Sequence, residues 1–426
     1  MWSDVPFDNR MSRYAQYSFL PQSFEIHWLS IINSFVRQHE MSKLLRRRLI
    51  TYTDAYFKAR VEGVETRNII NGRFAHTTGL LAILRHKIFV DRSLAITNRS
   101  PSFAHPRCIG ARRSCSGCGC ACLNKVRDEA VGPEWKNVVW RNTFSGEEFG
   151  RIVLPAQSQE HTDSVSPTVT TSCAQDRVQQ ILLEAVREQG IAEVRFGAEV
   201  TDIQDMGELV RVQLRTGDGV SERVTARYGV LAHGASGVLR DQLAIGMDGI
   251  PEFGRQINVY FHADLTRWTD EDPALLVWLL NTAAPGGMIG MDGKQRWTFN
   301  FGYDPDVETV ADYTFERCAD LVRKAIGVAD VDVDVQSIGT WRLASRIANT
   351  YRCGNIFLAG DAAHEFPPTG GLGMNTGIAD ADNLAWKLAA VLTGWAPESL
   401  LGTYECERKP VAVSNAEFSV NNAIKM

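Results

Sequence analysis

Apolar residues near the C-terminus follow two successive patterns. Ile356–Ala359 is a short continuous apolar run, which is typical of a buried strand in a parallel sheet. Further along, apolar positions recur at helical spacing, at Ile378, Ala381, Ala385, Leu388 and Leu392. The pattern predicts a strand, a break at Gly360–Asp361, and a helix that begins near Met374 and continues past Leu388.

The middle of the chain combines one helical pattern with several strand patterns. Gln175–Gln189 has its apolar residues on one helical face, at Val178, Ile181, Leu182 and Val186. Strand-like runs follow at Val194–Phe196, Val200–Ile203, Val210–Leu214, Val224–Ala226 and Tyr228–Ala232. Gly217-Asp218-Gly219 predicts a hairpin turn between two of them.

Residues 249 to about 340 have a different, β-rich character. Strand-like runs occur at Ile257–Phe261, Leu276–Leu280 and Arg296–Tyr303, and hairpin turns are predicted at Gly286-Gly287 and Asp292-Gly293. Within the third run, Trp297, Phe299 and Phe301 alternate with polar residues and therefore share one sheet face. That face either packs the core or walls a pocket for a flat, apolar substrate.

Composition narrows the class of protein. A length of 426 residues exceeds the usual single-core range of about 250–300 residues, so two lobes are expected. The net charge of −5 gives no reason to expect nucleic acid as a partner, and no run reaches the ~18 apolar residues of a membrane span. The N-terminus lacks the pattern of a signal peptide, so a cytoplasmic location is expected.

Five of the nine cysteines lie between Cys108 and Cys122. A zinc site normally needs a second ligand pair at defined spacing, and none is evident here. We therefore predict no metal site.

The segment between the predicted C-terminal strand and helix carries the most specific motif. It contains Gly-Asp and then Pro-Pro-Thr-Gly-Gly-Leu-Gly-Met-Asn, and it resembles the GD motif of the FAD-dependent aromatic hydroxylases of the p-hydroxybenzoate and phenol hydroxylase type. The resemblance implies that Asp361 bonds the ribityl chain of FAD, that the loop lies against the isoalloxazine, and that the helix start faces its pyrimidine edge. The cofactor-binding residues that it implies are Gly360, Asp361, Pro367, Pro368, Gly370, Gly371, Gly373, Met374, Asn375, Gln175 and Arg112.

Two further stretches are similar to this family. Ala232–Arg240 resembles its DG motif, which touches both FAD and the path of the reduced pyridine nucleotide, and it keeps Gly234, Ala235 and Arg240 while His233 replaces an aspartate. Tyr404-Glu-Cys-Glu-Arg-Lys-Pro matches the family's Tyr-x-x-Glu-Arg-x-Pro. His364 is the remaining histidine of interest, and a structural role is expected for it rather than an acid–base one.

The N-terminal part departs from the family. The pyrophosphate fingerprint Gly-x-Gly-x-x-Gly is reduced to Gly79, with Phe74 and His76 in place of glycines, and Asn98 stands where a glutamate is expected. Arg113–Cys122 shows no helical periodicity where the family has an amphipathic helix. Either a misread stretch of the gene or a divergent surface loop would explain this. We expect that the chain as written binds FAD weakly.

These features predict an α/β fold in which an FAD-binding Rossmann-like lobe, residues 79–248 and 340–405, is interrupted by a β-sheet substrate lobe, residues 249–339. Residues 1–78 are unassigned and residues 406–426 are predicted to form a C-terminal tail.

The resemblance also implies a reaction. NADPH or NADH reduces FAD, O₂ is activated, and one oxygen atom is added to a phenol- or polyketide-like aromatic small molecule. The flavin supplies the chemistry, so no catalytic side chain is assigned. Two alternatives stay open: a non-catalytic relic that cannot hold FAD tightly, and a flavin epoxidase or Baeyer–Villiger-type oxygenase.

Overall fold

The computed structural model describes residues 94–97, 106–109, 118–135, 137–153, 171–190, 192–235 and 237–425. All of them belong to one compact unit, His76–Met426. The first 93 residues, with Gly79 and its neighbours, lie outside the described part of the chain, as do Asn98 and Arg112.

The described residues contain both helices and strands. The helices are α1 (Cys118–Asp128), α2 (Gln175–Gln189), α3 (Val238–Gln242), α4 (Thr266–Thr269), α5 (Phe315–Ile326), α6 (Leu372–Leu392) and α7 (Thr403–Lys425). The strands are β1 (Leu94–Thr97), β2 (Pro106–Ile109), β3 (Asn137–Arg141), β4 (Glu148–Val153), β5 (Thr171–Ala174), β6 (Glu193–Phe196), β7 (Ala198–Asp205), β8 (Val210–Thr216), β9 (Ser221–Ala226), β10 (Gly229–Leu231), β11 (Met247–His262), β12 (Leu276–Leu279), β13 (Gly286–Gly290), β14 (Arg296–Tyr303), β15 (Asp334–Ala348), β16 (Arg352–Cys353), β17 (Ile356–Leu358) and β18 (His364–Glu365).

A large sheet is built around the β-rich segment. Its eight strands follow the order β18-β15-β11-β14-β13-β12-β3-β4. It extends beyond the predicted range 249–339, because β3 pairs in parallel with β12, with Val138 opposite Leu276. Trp297, Phe299 and Phe301 lie on the face of this sheet that forms the core with α5. That face is therefore core, as the first of the two interpretations expected.

A smaller sheet joins the two parts of the chain on either side of the β-rich segment. β10 and β17 pair in parallel, with Gly229 opposite Ile356 and Leu231 opposite Leu358. β17 is buried along its whole length, which confirms the predicted strand. The lobe expected to bind FAD is thus continuous in space although it is interrupted in sequence, and the α/β fold class is confirmed.

Helix α6 confirms the predicted helix but not its predicted buried stripe. It begins two residues before Met374 and continues past Leu388. Ala385 and Leu388 are buried, while Ile378, Ala381 and Leu392 are only half-buried. The fully buried residues include Thr376, Asp380 and Lys387, because this helix also packs against α7 and the turn after β17.

The middle of the chain largely follows its sequence pattern. α2 has the predicted bounds, and β6 to β9 cover their predicted strand-like runs. β10 covers Gly229–Leu231, the middle of the predicted run Tyr228–Ala232. The hairpin between β8 and β9 turns at Gly217–Gly219, and the Asp292-Gly293 turn joins β13 to β14.

Three sequence expectations were wrong. Gly286-Gly287 begins β13 and is not a turn; a Cβ on Gly286 would lie 2.4 Å from the Asn300 carbonyl oxygen, so glycine is needed because the neighbouring strand is close. Residues 118–122, predicted to lack helical periodicity, lie in α1, where Cys122 and Val126, one turn apart, pack with the cluster around Cys173. The predicted boundary at 405/406 falls inside α7.

None of the helices in the described residues is long and apolar enough to span a membrane. The same part of the chain contains no group of His, Cys, Asp and Glu side chains that could hold a metal ion. Burial raises the pKa of the Cys173 thiol to about 11, which keeps it protonated at neutral pH.

Candidate active site

The turn that carries Asp361 leaves the parallel pair β10–β17 at its C-terminal end. The Ala359 N–H donates to the Leu231 carbonyl at 3.0 Å, and Gly360 then turns with a φ of +61°, which favours glycine. The Asp361 carboxylate is exposed, and no described residue hydrogen-bonds to it. It is free to accept hydrogen bonds from hydroxyl groups of a ligand.

Two glycines let this turn approach α6. A Cβ on Gly377 would lie only 3.2 Å from the Cα of Gly360. Sequence reasoning assigned no role to Gly377, which is therefore a residue of the site that it missed. The glycine at the sixth position of α6 was the available signal, since an interior helix glycine is costly without a packing reason.

Asp380 is a buried hub below the turn, and sequence reasoning also missed it. Its Oδ2 accepts a hydrogen bond from the Gly360 N–H at 3.2 Å and from His364 Nε2 at 2.6 Å. Its Oδ1 accepts from Arg408 Nε at 2.7 Å. The side chains of His364 and Asp380 are fully buried.

The Tyr-x-x-Glu-Arg-x-Pro motif supplies the partners on α7. Tyr404 donates to the Leu358 carbonyl at 2.7 Å, Glu407 pairs with Lys387 at 2.9 Å, and Arg408 bonds Asp380. Burial lowers the pKa of Lys387, against the opposing effect of Glu407, and raises the pKa of Tyr404 well above its ordinary value. The motif therefore fastens α7 to β17 and α6.

The loop before α6 is held by its own turn and by α7. Pro367 is buried and Pro368 is exposed, and the Gly371 N–H donates to the Pro368 carbonyl at 2.9 Å. Gly370 has a φ of +123°, and a Cβ there would lie 3.1 Å from the Phe418 ring. The Thr369 hydroxyl donates to the Ser419 carbonyl at 2.5 Å.

The start of α6 has no side-chain cap. Its N-cap is Gly371, with a φ of +67°, and no side chain caps the helix or places an acidic group in its first turn. Gly373, Met374 and Asn375 are half-buried there, and Asn375 Nδ2 donates to the Gly371 carbonyl at 2.9 Å. The uncapped N–H groups and the positive end of the helix dipole suit an electron-rich ligand edge. With the free Asp361 carboxylate, they fit the ring and ribityl end of FAD.

Gln175 lies at the start of α2, half-buried, directly after β5. β5 pairs with β2, and β2 lies beside α6. Gln175 therefore follows a strand, β5, whose partner β2 lies beside α6. Arg112 lies outside the described residues.

The DG motif meets the GD motif through one arginine. Arg240 is 3% exposed, and its Nη1 donates to the Ala362 carbonyl at 3.1 Å. Burial, and then the nearby Arg346, lower the pKa of Arg240. Gly234 has a φ of +77° in the turn after β10. The two motifs are thus neighbours, separated by more than a hundred residues in sequence.

The large sheet presents a second face opposite its core. The β-ladder register aligns one row of residues across it, namely Trp140, Trp278, Gly287, Asn300, Asn258 and Gly339, which we call the polar face. Asn258 Nδ2 donates to Asn300 Oδ1 at 2.7 Å. Trp278 is half-buried, and its Nε1 is buried without a partner among the described residues. The row combines flat aromatic surface with hydrogen-bonding groups.

A series of side-chain contacts links the same side of the large sheet to α2. Tyr260, on the same side of β11 as Asn258, packs with Ala174. Arg296 donates from Nε to the Tyr260 hydroxyl at 2.8 Å and from Nη2 to Asp176 at 2.6 Å. These contacts hold the start of α2, which carries Gln175, against the side of the sheet that also carries the polar face.

Comparisons with known proteins identify the family of the chain. A family model described as FAD binding domain matches residues 112–419. The chain is 40% identical over 250 residues to a putative polyketide hydroxylase of Streptomyces halstedii, a match that covers 58% of this chain and 45% of that protein. The chain spans about half the length of the curated relatives it matches.

Two solved structures with similar folds also contain FAD. The flavin-dependent monooxygenase PieE in complex with FAD and substrate matches with a TM-score of 0.73 and 27% identity, over 82% of this chain and 62% of that one. A ternary complex of aklavinone-11 hydroxylase with FAD and aklavinone matches with a TM-score of 0.71 and 30% identity, over 82% of this chain and 66% of that one.

Proposed function

The chain belongs to the FAD binding domain family, and from this premise we propose that it is a flavin-dependent monooxygenase that uses NAD(P)H and O₂ to hydroxylate a flat aromatic, polyketide-like small molecule. The turn at Asp361 carries the proposal. A free carboxylate, a glycine loop and an uncapped helix start converge there, and together they suit FAD.

Each part of this site has a task. Asp361 accepts hydrogen bonds from ribityl hydroxyls, while the loop Pro367–Gly371 and the first N–H groups of α6 hold the edge of the ring. Bound FAD supplies electron transfer from NAD(P)H and the activation of O₂. The protein itself orients the flavin ring and the aromatic ring of the substrate, and it keeps water away from both.

The polar face is the proposed substrate surface. Trp140 and Trp278 offer flat aromatic contact, and the Asn258–Asn300 pair offers hydrogen bonds to ring oxygen substituents. The putative polyketide hydroxylase and the aklavinone complex among the similar proteins support an aromatic polyketide as substrate. A cytoplasmic location is part of the proposal.

The test is product analysis with labelled oxygen. The purified chain is supplied with FAD, NADPH, ¹⁸O₂ and a polycyclic phenol of the aromatic polyketide type. One labelled oxygen atom in a ring hydroxyl supports the proposal, and omission of NADPH is the control. A labelled lactone or epoxide would favour the alternative oxygenases, and a chain that holds no flavin at any FAD concentration would favour the relic.

A further inference from the structure

The turn that carries Asp361 is held from two sides, because Arg240 donates to the Ala362 carbonyl and Asp380 accepts from the Gly360 N–H. It is a single 3₁₀ turn, Gly360–Ala362, with no side-chain cap, closed by the Ala363 N–H to the Gly360 carbonyl at 2.8 Å. The backbone N–H of Gly360, at its first residue, donates to Asp380. The direction in which Asp361 points therefore depends in part on where α6 holds the Asp380 carboxylate.

Asp380 is itself fixed by α7. Arg408 binds its Oδ1 through Nε and reaches the Thr376 carbonyl through Nη2 at 3.4 Å. Asn415, two turns further along α7, donates to the Thr376 hydroxyl at 2.9 Å. A network of charged and polar groups thus crosses the interface between α6 and α7, directly below the turn. Such buried networks specify one arrangement of the elements that they join.

The same helix also reaches the loop on the other side of the site. The Thr369 hydroxyl donates to the Ser419 carbonyl, and Phe418 lies against Gly370. The Asp361 turn and the loop, two of the segments proposed to touch the flavin, are therefore both supported by α7.

We propose that Asp380 is a positioning residue for the cofactor: through His364, Gly360 and Arg408 it transmits the position of α7 to the turn that carries Asp361. This inference rests on the proposed function, since it assumes that FAD binds at Asp361. Asp380 touches no ligand in this account; it acts through the backbone of Gly360.

The chain offers a matched control at the same helix interface. Lys387 on α6 pairs with Glu407 on α7, next to Arg408, but neither bonds to the turn or to the loop. Lys387→Met removes a buried charge between the same two helices and leaves Glu407, which is half exposed, to solvent. Lys387→Met therefore measures how a weaker contact between α6 and α7 alone affects FAD binding.

The experiment compares Asp380→Asn, Arg408→Lys and Lys387→Met in the full chain. FAD is titrated into each variant, with flavin fluorescence giving the Kd, and the visible absorption spectrum of the bound flavin and the Tm of the apo protein are recorded. Asp380→Asn should weaken FAD binding about tenfold or more and alter the bound spectrum. Arg408→Lys keeps the positive charge but loses the contact with the Thr376 carbonyl. Its Kd for FAD should lie between those of Asp380→Asn and the wild type. Lys387→Met should change Tm without changing the Kd more than about twofold.

The outcomes separate the inference from its premise. If the unchanged chain binds no FAD, the proposed function fails. If it binds FAD but Asp380→Asn and Lys387→Met weaken binding in proportion to their loss of Tm, Asp380 only stabilises the fold and the inference is wrong. Should Asp380→Asn fail to fold, Arg408→Lys decides, since an unchanged Kd and spectrum in that variant would overturn the inference.

Discussion

Gly377 is a residue of the proposed cofactor site at which the absence of a side chain lets two elements approach each other. Gly360 cannot move away easily, because its N–H is bonded to the buried Asp380. In Gly377→Ala, helix propensity favours alanine by about 1 kcal/mol, whereas crowding against Gly360 costs about 1–3 kcal/mol. We expect a small net change in the free energy of unfolding and weaker FAD binding, because the turn is displaced.

The control for this variant is Gly402→Ala, since a Cβ on Gly402 would meet nothing within 4 Å. FAD titration and thermal unfolding of both proteins measure the two effects. Unchanged FAD affinity in Gly377→Ala would mean that the turn can shift without affecting the cofactor.

The polar face gives a prediction at the level of the sheet. Trp278 lies over Gly287, where a Cβ would be 3.2 Å from its ring, so the indole has little freedom to move. Trp278→Ala removes about 1.5–3 kcal/mol of apolar contact with a flat substrate. We expect a rise in KM of roughly tenfold or more, with the Kd for FAD unchanged.

Trp395, which is exposed in the segment after α6, provides the control for this substitution. KM from NAD(P)H oxidation coupled to product formation is the measurement for both variants. A normal KM in Trp278→Ala would place the substrate elsewhere than on the polar face.

Local patterns predicted the elements better than they predicted contacts. Strand β17, helix α2 and helix α6 follow from apolar spacing, since each is dictated by residues within a few positions. Gly286-Gly287 was misjudged because the reason for those glycines is the neighbouring strand, not a local turn. The role of Asp380 could not be predicted for the same reason, because its partner Arg408 is 28 residues away in sequence.

At the level of the whole molecule, the described part of the site comes from distant segments. Arg240 after β10, Asp361 after β17 and Arg408 on α7 are connected through Ala362 and Asp380. We propose that this arrangement holds the ring and ribityl end of FAD. Gly79 and Asn98, which the resemblance places near the pyrophosphate and the ribose, lie outside the described residues. The expectation of weak FAD binding by the chain as written therefore stays a prediction.

The most direct test of the central claim is an FAD titration of the 426-residue chain and its Asp361→Asn variant, followed by flavin fluorescence. Asparagine keeps the size of the side chain but removes the charge, so the loss of a charge-assisted hydrogen bond should cost about 1.5–3 kcal/mol, or roughly tenfold to a hundredfold in Kd. Asp320→Ala, on the exposed side of α5, is the control. We predict saturable binding of one FAD per chain that is weakened in Asp361→Asn alone. Equal affinities in all three proteins would contradict the assignment of Asp361 to the cofactor.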